Sequence, residues 1–172
     1  MTPDLTATHS ADPVTHHATP AAATLSASVL DLFKVTARLL AEGDRLVEGL
    51  GLTSARWQVL GTIVAAHRPQ PVAWLARDTG ASRQNVQRIV NDLVKEAFVV
   101  LMPNPHHRRA SLVVLTEAGR QAYDDAMRLQ GPWMDRLTDG VALPDLQAMQ
   151  RVLSVLRVRL DGGEGDGDGE AP

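Results

Sequence analysis

The stretch Ser82–Lys95 constrains the fold of this chain more than any other. Val86, Ile89, Val90, Leu93 and Val94 recur at i, i+3, i+4, i+7 and i+8, so a helix here buries one apolar stripe. Ser82 stands just ahead of the stripe, where a hydroxyl can accept from the first free backbone N–H groups. The opposite face carries Gln84, Arg88, Asn91 and Lys95, with Asn85 and Gln87 on its flanks and Arg83 at the mouth. Surface helices ordinarily mix acids with bases, yet Asp92 is the only acid before Lys95. Arg, Gln and Asn are the side chains that make paired hydrogen bonds to guanine or adenine edges in a major groove. The pattern predicts a helix that reads DNA.

Charge is segregated in the same sense. The chain has 172 residues and a net charge of −3, but Gly51–Arg120 carries nine bases against four acids. A basic middle between acidic ends fits one unit facing a polyanion, held by arms with another task. The chain has no cysteine, which excludes disulfides, thiolate metal sites and cysteine-based redox sensing. It shows neither a long apolar run nor a basic-then-apolar leader, so a cytoplasmic protein without membrane contact is expected.

Taken in order, residues 1–24 are rich in Thr, Ala, Pro and His without periodicity and are expected to be disordered. His16-His17 has no further ligand at useful spacing and reads as tail. From Leu25 to Leu50, Val29, Phe33, Thr36, Leu40, Gly43, Val47 and Leu50 alternate steps of four and three, a long helix with a heptad-like seam. That seam packs either within one chain or against a second subunit. Gly51-Leu52 breaks the helix, and Thr53 or Ser54 can cap the next, which buries Trp57, Leu60, Ile63 and Val64. His67–Pro71 reads as a turn, and Val72–Thr79 as a short helix ended by Gly80. Two short helices joined by a tight Gly-containing turn make a helix-turn-helix.

Beyond Glu96-Ala97, Phe98–Met102 and Leu112–Leu115 read as strands around the polar loop Pro103–Ala110, which ends in Arg108 and Arg109. This is a wing, and an arginine at its tip suits a narrow minor groove. Thr116 caps a further helix with the stripe Ala118, Ala122, Ala126, Leu129, Trp133 and Leu137, which Gly131-Pro132 should kink or interrupt. Leu146, Met149, Leu153, Leu156 and Leu160 mark a last seam helix, and residues 161–172 an acidic, Gly-rich, disordered tail.

Leu52-Thr53 with Trp57–Leu60, Leu75-Ala76, Ser82–Leu93, and Arg108-Arg109-Ala110 running into Leu112–Gly119 together resemble the MarR family of regulators. The likeness spans roughly 29–160. It implies a mainly α fold with a small β wing, a winged helix-turn-helix with N- and C-terminal dimerisation helices. The whole domain is placed at 25–160, the DNA-binding part at 52–116, and the dimerisation helices at 25–50 and 117–160. The resemblance also implies a homodimer on a double-stranded, pseudo-palindromic operator, often a repressor released by a small phenolic or lipophilic ligand held between the two parts. One departure stands out. The family's wing places Asp two residues before the minor-groove arginine, and this chain has His107 before Arg109. Aspartate would hold the arginine by a charge-assisted hydrogen bond. Histidine cannot, and because it titrates near neutrality, DNA affinity is expected to rise as pH falls.

Candidate DNA contacts are therefore Ser82, Arg83, Gln84, Asn85, Gln87, Arg88 and Asn91 on the helix, His107, Arg108 and Arg109 on the wing, and Ser54 and Arg56 at the start of their helix. Arg88 is a base or phosphate contact before it is a solvated side chain. Asn85 and Gln87 are balanced between contact and exposure, as Ser54 and Arg56 are between phosphate and ordinary surface. Ser82 is a cap first. Trp57 and Trp74 read as core. His106-His107 in a turn point apart and make no metal site. An enzyme is not expected: no phosphate loop, carboxylate pair near a histidine, or nucleophile with a base is present, and no cofactor or metal is implied. The alternatives are a ligand-independent activator or architectural DNA binder, and a winged helix that binds protein, which would want an apolar or acidic helix face.

Overall fold

The structure, a computed structural model, describes residues 19–107 and 109–162. The expected tail residues 1–18 and 163–172, and Arg108, lie outside the described residues. Met1–Gly43 and Asp44–Pro172 are two compact units. Helix α1 spans Pro20–Val47 and runs into a 3₁₀ turn, Glu48–Leu50. It starts five residues before the expected Leu25. Ala21–Ala23 are strong helix formers behind a proline at the first helical position. The Thr19 hydroxyl accepts from the Ala22 N–H at 3.2 Å, which supplies the cap.

In the second unit, Gly51 takes φ 68 and ends the 3₁₀ turn. Thr53 then caps α2 (Ser54–Ala65), its hydroxyl accepting from the Arg56 N–H. The Ser54 N–H donates to the Asp44 carboxylate at 2.6 Å, a second, charge-assisted cap from outside the helix. A two-residue strand, β1 (Gln70–Pro71), lies where a plain turn was expected. Helix α3 (Val72–Thr79) follows, then Gly80 at φ 68, then α4 (Arg83–Lys95), with strands β2 (Val99–Met102) and β3 (Leu112–Leu115) forming the wing. The sheet order is β1-β3-β2, all antiparallel, with Val99 opposite Leu115 and Gln70 opposite Val113. Pro71 has no N–H to offer and stands on an edge strand, where none is needed.

The core is one cluster shared by these elements. Leu60 from α2, Leu75 from α3, Val86, Val90 and Leu93 from α4, Val99 from β2 and Val113 from β3 are all shut off from solvent. Four residues of the expected α4 stripe are buried; Val94 is not, being 36% exposed at the stripe's edge. Trp74, expected in the core, is an exposed residue of α3 lying under Arg68, whose guanidinium is 5.2 Å from the ring centre.

Helix α4 closes with a crossed pair of hydrogen bonds. The Phe98 N–H donates to the Leu93 carbonyl and the Ala97 N–H to the Val94 carbonyl, with Ala97 left-handed at φ 58. This is the arrangement in which glycine usually serves. Phe98 also anchors the next helix, since its carbonyl accepts from both the N–H and the hydroxyl of Thr116. Thr116 caps α5 (Glu117–Thr138) through the Gly119 N–H. A Cβ on Gly119 would lie 2.0 Å from the Phe98 oxygen, so only glycine fits there.

Helix α5 runs through Pro132 uninterrupted, so of the expected kink or interruption the interruption does not occur. Pro132 is exposed and has no N–H to offer the helix ladder, and the helix continues past it. The expected α5 stripe is buried in part. Gly119, Ala122 and Ala126 are buried and Trp133 packs on the core, whereas Ala118, Leu129 and Leu137 are exposed. Helix α6 (Leu143–Asp161) buries no residue, although Met149, Val152, Leu153, Val155, Val158 and Leu160 lie along it. Among the described residues no helix is long and apolar enough to cross a membrane.

Candidate nucleic-acid interface

The turn that aims α4 is set by two residues. Gly80 takes the left-handed conformation that ends α3, and Ser82 accepts from the Asn85 N–H at 3.3 Å to begin α4. Burial of Val86, Ile89, Val90 and Leu93 then fixes the rotation of the helix about its axis. Ser82, Arg83, Gln84, Asn85, Arg88 and Asn91 are left exposed and Gln87 half-buried, as the sequence predicts. These side chains are held rather than loose. Gln87 donates to Asn91 at 3.0 Å and Arg88 to Asn85 at 3.1 Å, each pair one helical turn apart.

Asp92 organises the far end of this face. Its carboxylate lies 3.3 Å from Lys95, 4.0 Å from Arg88 and 3.8 Å from Arg56. The first two contacts were readable from spacings of three and four; the third, across two helices, was not. Arg56 also donates to the Gly51 carbonyl at 3.2 Å. Its side chain is three-quarters buried, so it braces α2 against α4 instead of projecting freely from the helix start. Ser54, the other candidate on α2, is 5% exposed, inside the first turn of that helix.

The wing returns to the same face. A cleft of about 140 Å³ is lined by Ala73 of α3, Arg83 and Gln87 of α4, and Leu101 and Arg109 of the wing. Arg109 therefore stands beside the start of α4, and the second wing candidate, Arg108, is outside the described residues. The tip is shaped by backbone turns. The His106 N–H donates to the Asn104 side chain, the His107 N–H to the Asn104 carbonyl, and the Ala110 N–H to the His107 carbonyl. Among the described residues no carboxylate pairs with Arg109. The cations and amides of α4 thus share one face with the wing arginine, in a geometry suited to a duplex: base edges to the helix, backbone and minor groove to the wing.

A helix-turn-helix whose second helix presents Arg, Gln and Asn, followed by an arginine-tipped hairpin, defines a winged-helix DNA-binding protein. Residues 50–110 match the model of the MarR family. An uncharacterised protein of Mycobacterium tuberculosis is 37% identical over 132 residues, which cover 77% of this chain and 91% of the relative. The transcriptional activatory protein BadR of Rhodopseudomonas palustris is 34% identical over 98 residues, 54% of each chain. Among solved structures, the transcriptional repressor CouR bound to a 23-mer DNA duplex superposes with a TM-score of 0.66, at 24% identity over 74% of this chain and 89% of its own. The chain belongs to the MarR family of DNA-binding transcription regulators.

Proposed function

We propose that this chain is a homodimeric repressor that binds a pseudo-palindromic operator and leaves it when a small ligand binds. The observation that carries the DNA half of this reading is the face of α4. Arg83, Gln84, Asn85, Gln87, Arg88 and Asn91 are presented by a helix whose opposite side is locked in the core. In this assignment Arg88 and Asn85 contact base edges, Ser82 and Arg83 contact phosphate, and Arg109 enters the minor groove with Arg108 and His107 beside it. The structure of CouR with DNA supports the docking mode by its shared fold.

Dimerisation is supported by apolar surface that one chain leaves uncovered. Leu30 and Phe33 of α1 are more than 60% exposed, as are Leu143, Val158 and Leu160 of α6. Such stripes at helical spacing are costly in water and are covered in a dimer. Release by ligand is supported by a groove of about 560 Å³ between α2, α3 and α5, where Gly61, Thr62 and Tyr123 meet Asp78 and Thr79 of the helix-turn-helix. Activation is the second reading, favoured by the name of the 34% identical relative BadR.

The test is a footprint of the purified protein on the DNA upstream of its own gene. Two protected half-sites about one helical turn (10–10.5 bp) apart are expected for a symmetric dimer. A single protected site, or none at micromolar protein, would overturn the operator reading.

A further inference from the structure

We infer that Gln87 reads an adenine in each half-site and that Asn91 is the residue that positions it. This rests on the operator reading of α4 given above and names a base pair that the operator must contain. The outer face of α4 carries two braced couples, one on each side of its midline. On the side toward α2, Arg88 donates to Asn85 at 3.1 Å and faces Asp92. On the side toward the wing, Gln87 Nε2 donates to Asn91 Oδ1 at 3.0 Å. The Gln87 stem lies in the cleft with Leu101 and Arg109, half-buried, while Asn91 is exposed one turn further on.

The chemistry of the amide selects the base. A primary amide has two N–H donors and one carbonyl acceptor. One donor of Gln87 goes to Asn91, which leaves Oε1 and the second N–H together. Adenine is the base whose major-groove edge sets a donor, N6, beside an acceptor, N7. Guanine offers two acceptors there, cytosine one donor, and thymine one acceptor with a methyl group, so none of them satisfies both amide atoms. The bond to Asn91 orients the amide before DNA arrives, and the half-buried stem limits its rotamers, so less freedom is lost on docking. Gln87 and Arg88 leave the helix about 100° apart, so this adenine and the base met by Arg88 belong to different base pairs. The sequence alone leaves Gln87 balanced between contact and exposure; the Asn91 bond and the cleft beneath the wing decide for contact.

The test selects duplexes from a random pool with the full chain, then measures anisotropy on the selected operator and its single-base-pair variants. Each half-site is expected to contain one A·T pair whose replacement weakens wild type by about 5- to 150-fold and leaves Gln87→Ala nearly unaffected. Wild type alone gives a second reading: 7-deazaadenine at that position, which lacks the N7 acceptor, should weaken binding severalfold. Gln87→Glu should move the preference there from A·T to C·G, because a carboxylate accepts from cytosine N4. Asn91→Ala should lose part of the A·T preference and hold its affinity for scrambled duplex within about twofold, which a merely structural role would not produce. The inference is overturned if Gln87→Ala keeps the full preference at every A·T pair of the half-site, or if wild type tolerates 7-deazaadenine at every adenine. A pool that yields no enriched sequence overturns the operator reading itself, and with it this one.

Discussion

Asp92 is a negative charge on a face built to meet phosphates, and Asp92→Asn separates what it costs from what it contributes. The cost is electrostatic. A unit charge about 10 Å from a phosphate in water interacts by about 0.4 kcal/mol. A Debye length of about 8 Å cuts this to roughly 0.1 kcal/mol. Over the half-dozen or so phosphates near a docked helix the total is on the order of 0.6 kcal/mol, close to a threefold gain in affinity for any duplex on removing the charge. The contribution is positional. Arg88 is held between Asn85 and Asp92, and its guanidinium must arrive flat and in register to read a base. A paired arginine–guanine contact discriminates by about 1–3 kcal/mol, and losing one of two restraints should forfeit roughly a third of that. Asp92→Asn should therefore bind scrambled duplex about three times more tightly, while the ratio of operator to scrambled affinity falls by about two- to fivefold. Fluorescence anisotropy on the two duplexes at fixed salt measures both. Stability should drop by about 1 kcal/mol through loss of the Arg56 pair, the one of the three with both side chains largely buried. Arg56→Met should lose a like amount of stability in urea and keep its discrimination. An unchanged or improved operator-to-scrambled ratio in Asp92→Asn would refute the positional role.

Two further substitutions address the scaffold that aims this face. Ala97→Gly should stabilise the fold by about 1 kcal/mol, because the left-handed conformation that closes α4 penalises a Cβ; a urea midpoint that fails to rise would show that the strain is absorbed elsewhere. Gly119→Ala should cost about 3 kcal/mol, since the new methyl meets the Phe98 carbonyl at the joint between wing and α5. A loss below about 1 kcal/mol would mean that this joint is loosely packed.

What could be read from the sequence was what local periodicity and chemistry decide. Helix α4 announced its buried side by five apolar residues and its outer side by what was missing from it, and the fold agrees at all but Val94. Caps were equally legible at Ser82 and Thr116, where one hydroxyl meets one N–H three residues on. Contacts between distant segments escaped. Strand β1 is only two residues long, one of them proline, and exists because β3 lies beside it. Ser54 and Arg56 looked like free polar residues at a helix start, yet Asp44 and Asp92, 10 and 36 residues away in sequence, hold them inward. Trp74 has the hydrophobicity of a core residue, but α3 is short and Val72, Leu75 and Ala76 already fill its buried side. Pro132 lowers helix propensity locally, yet the helix on either side of it carries Ala122, Ala126 and Trp133 onto the core, and packing of that face outweighs one proline.

The central claim is that α4 reads sequence and the wing adds mainly charge. Its most direct test is anisotropy across a salt series, with wild type, Arg88→Ala and Arg109→Ala on operator and scrambled duplexes. Arg88→Ala should lose about 1–3 kcal/mol on the operator and little on the scrambled duplex, so that the two affinities converge. Arg109→Ala should weaken both and flatten the salt slope by about one. If Arg88→Ala instead weakens both duplexes equally and leaves their ratio intact, α4 does not read bases and the account fails.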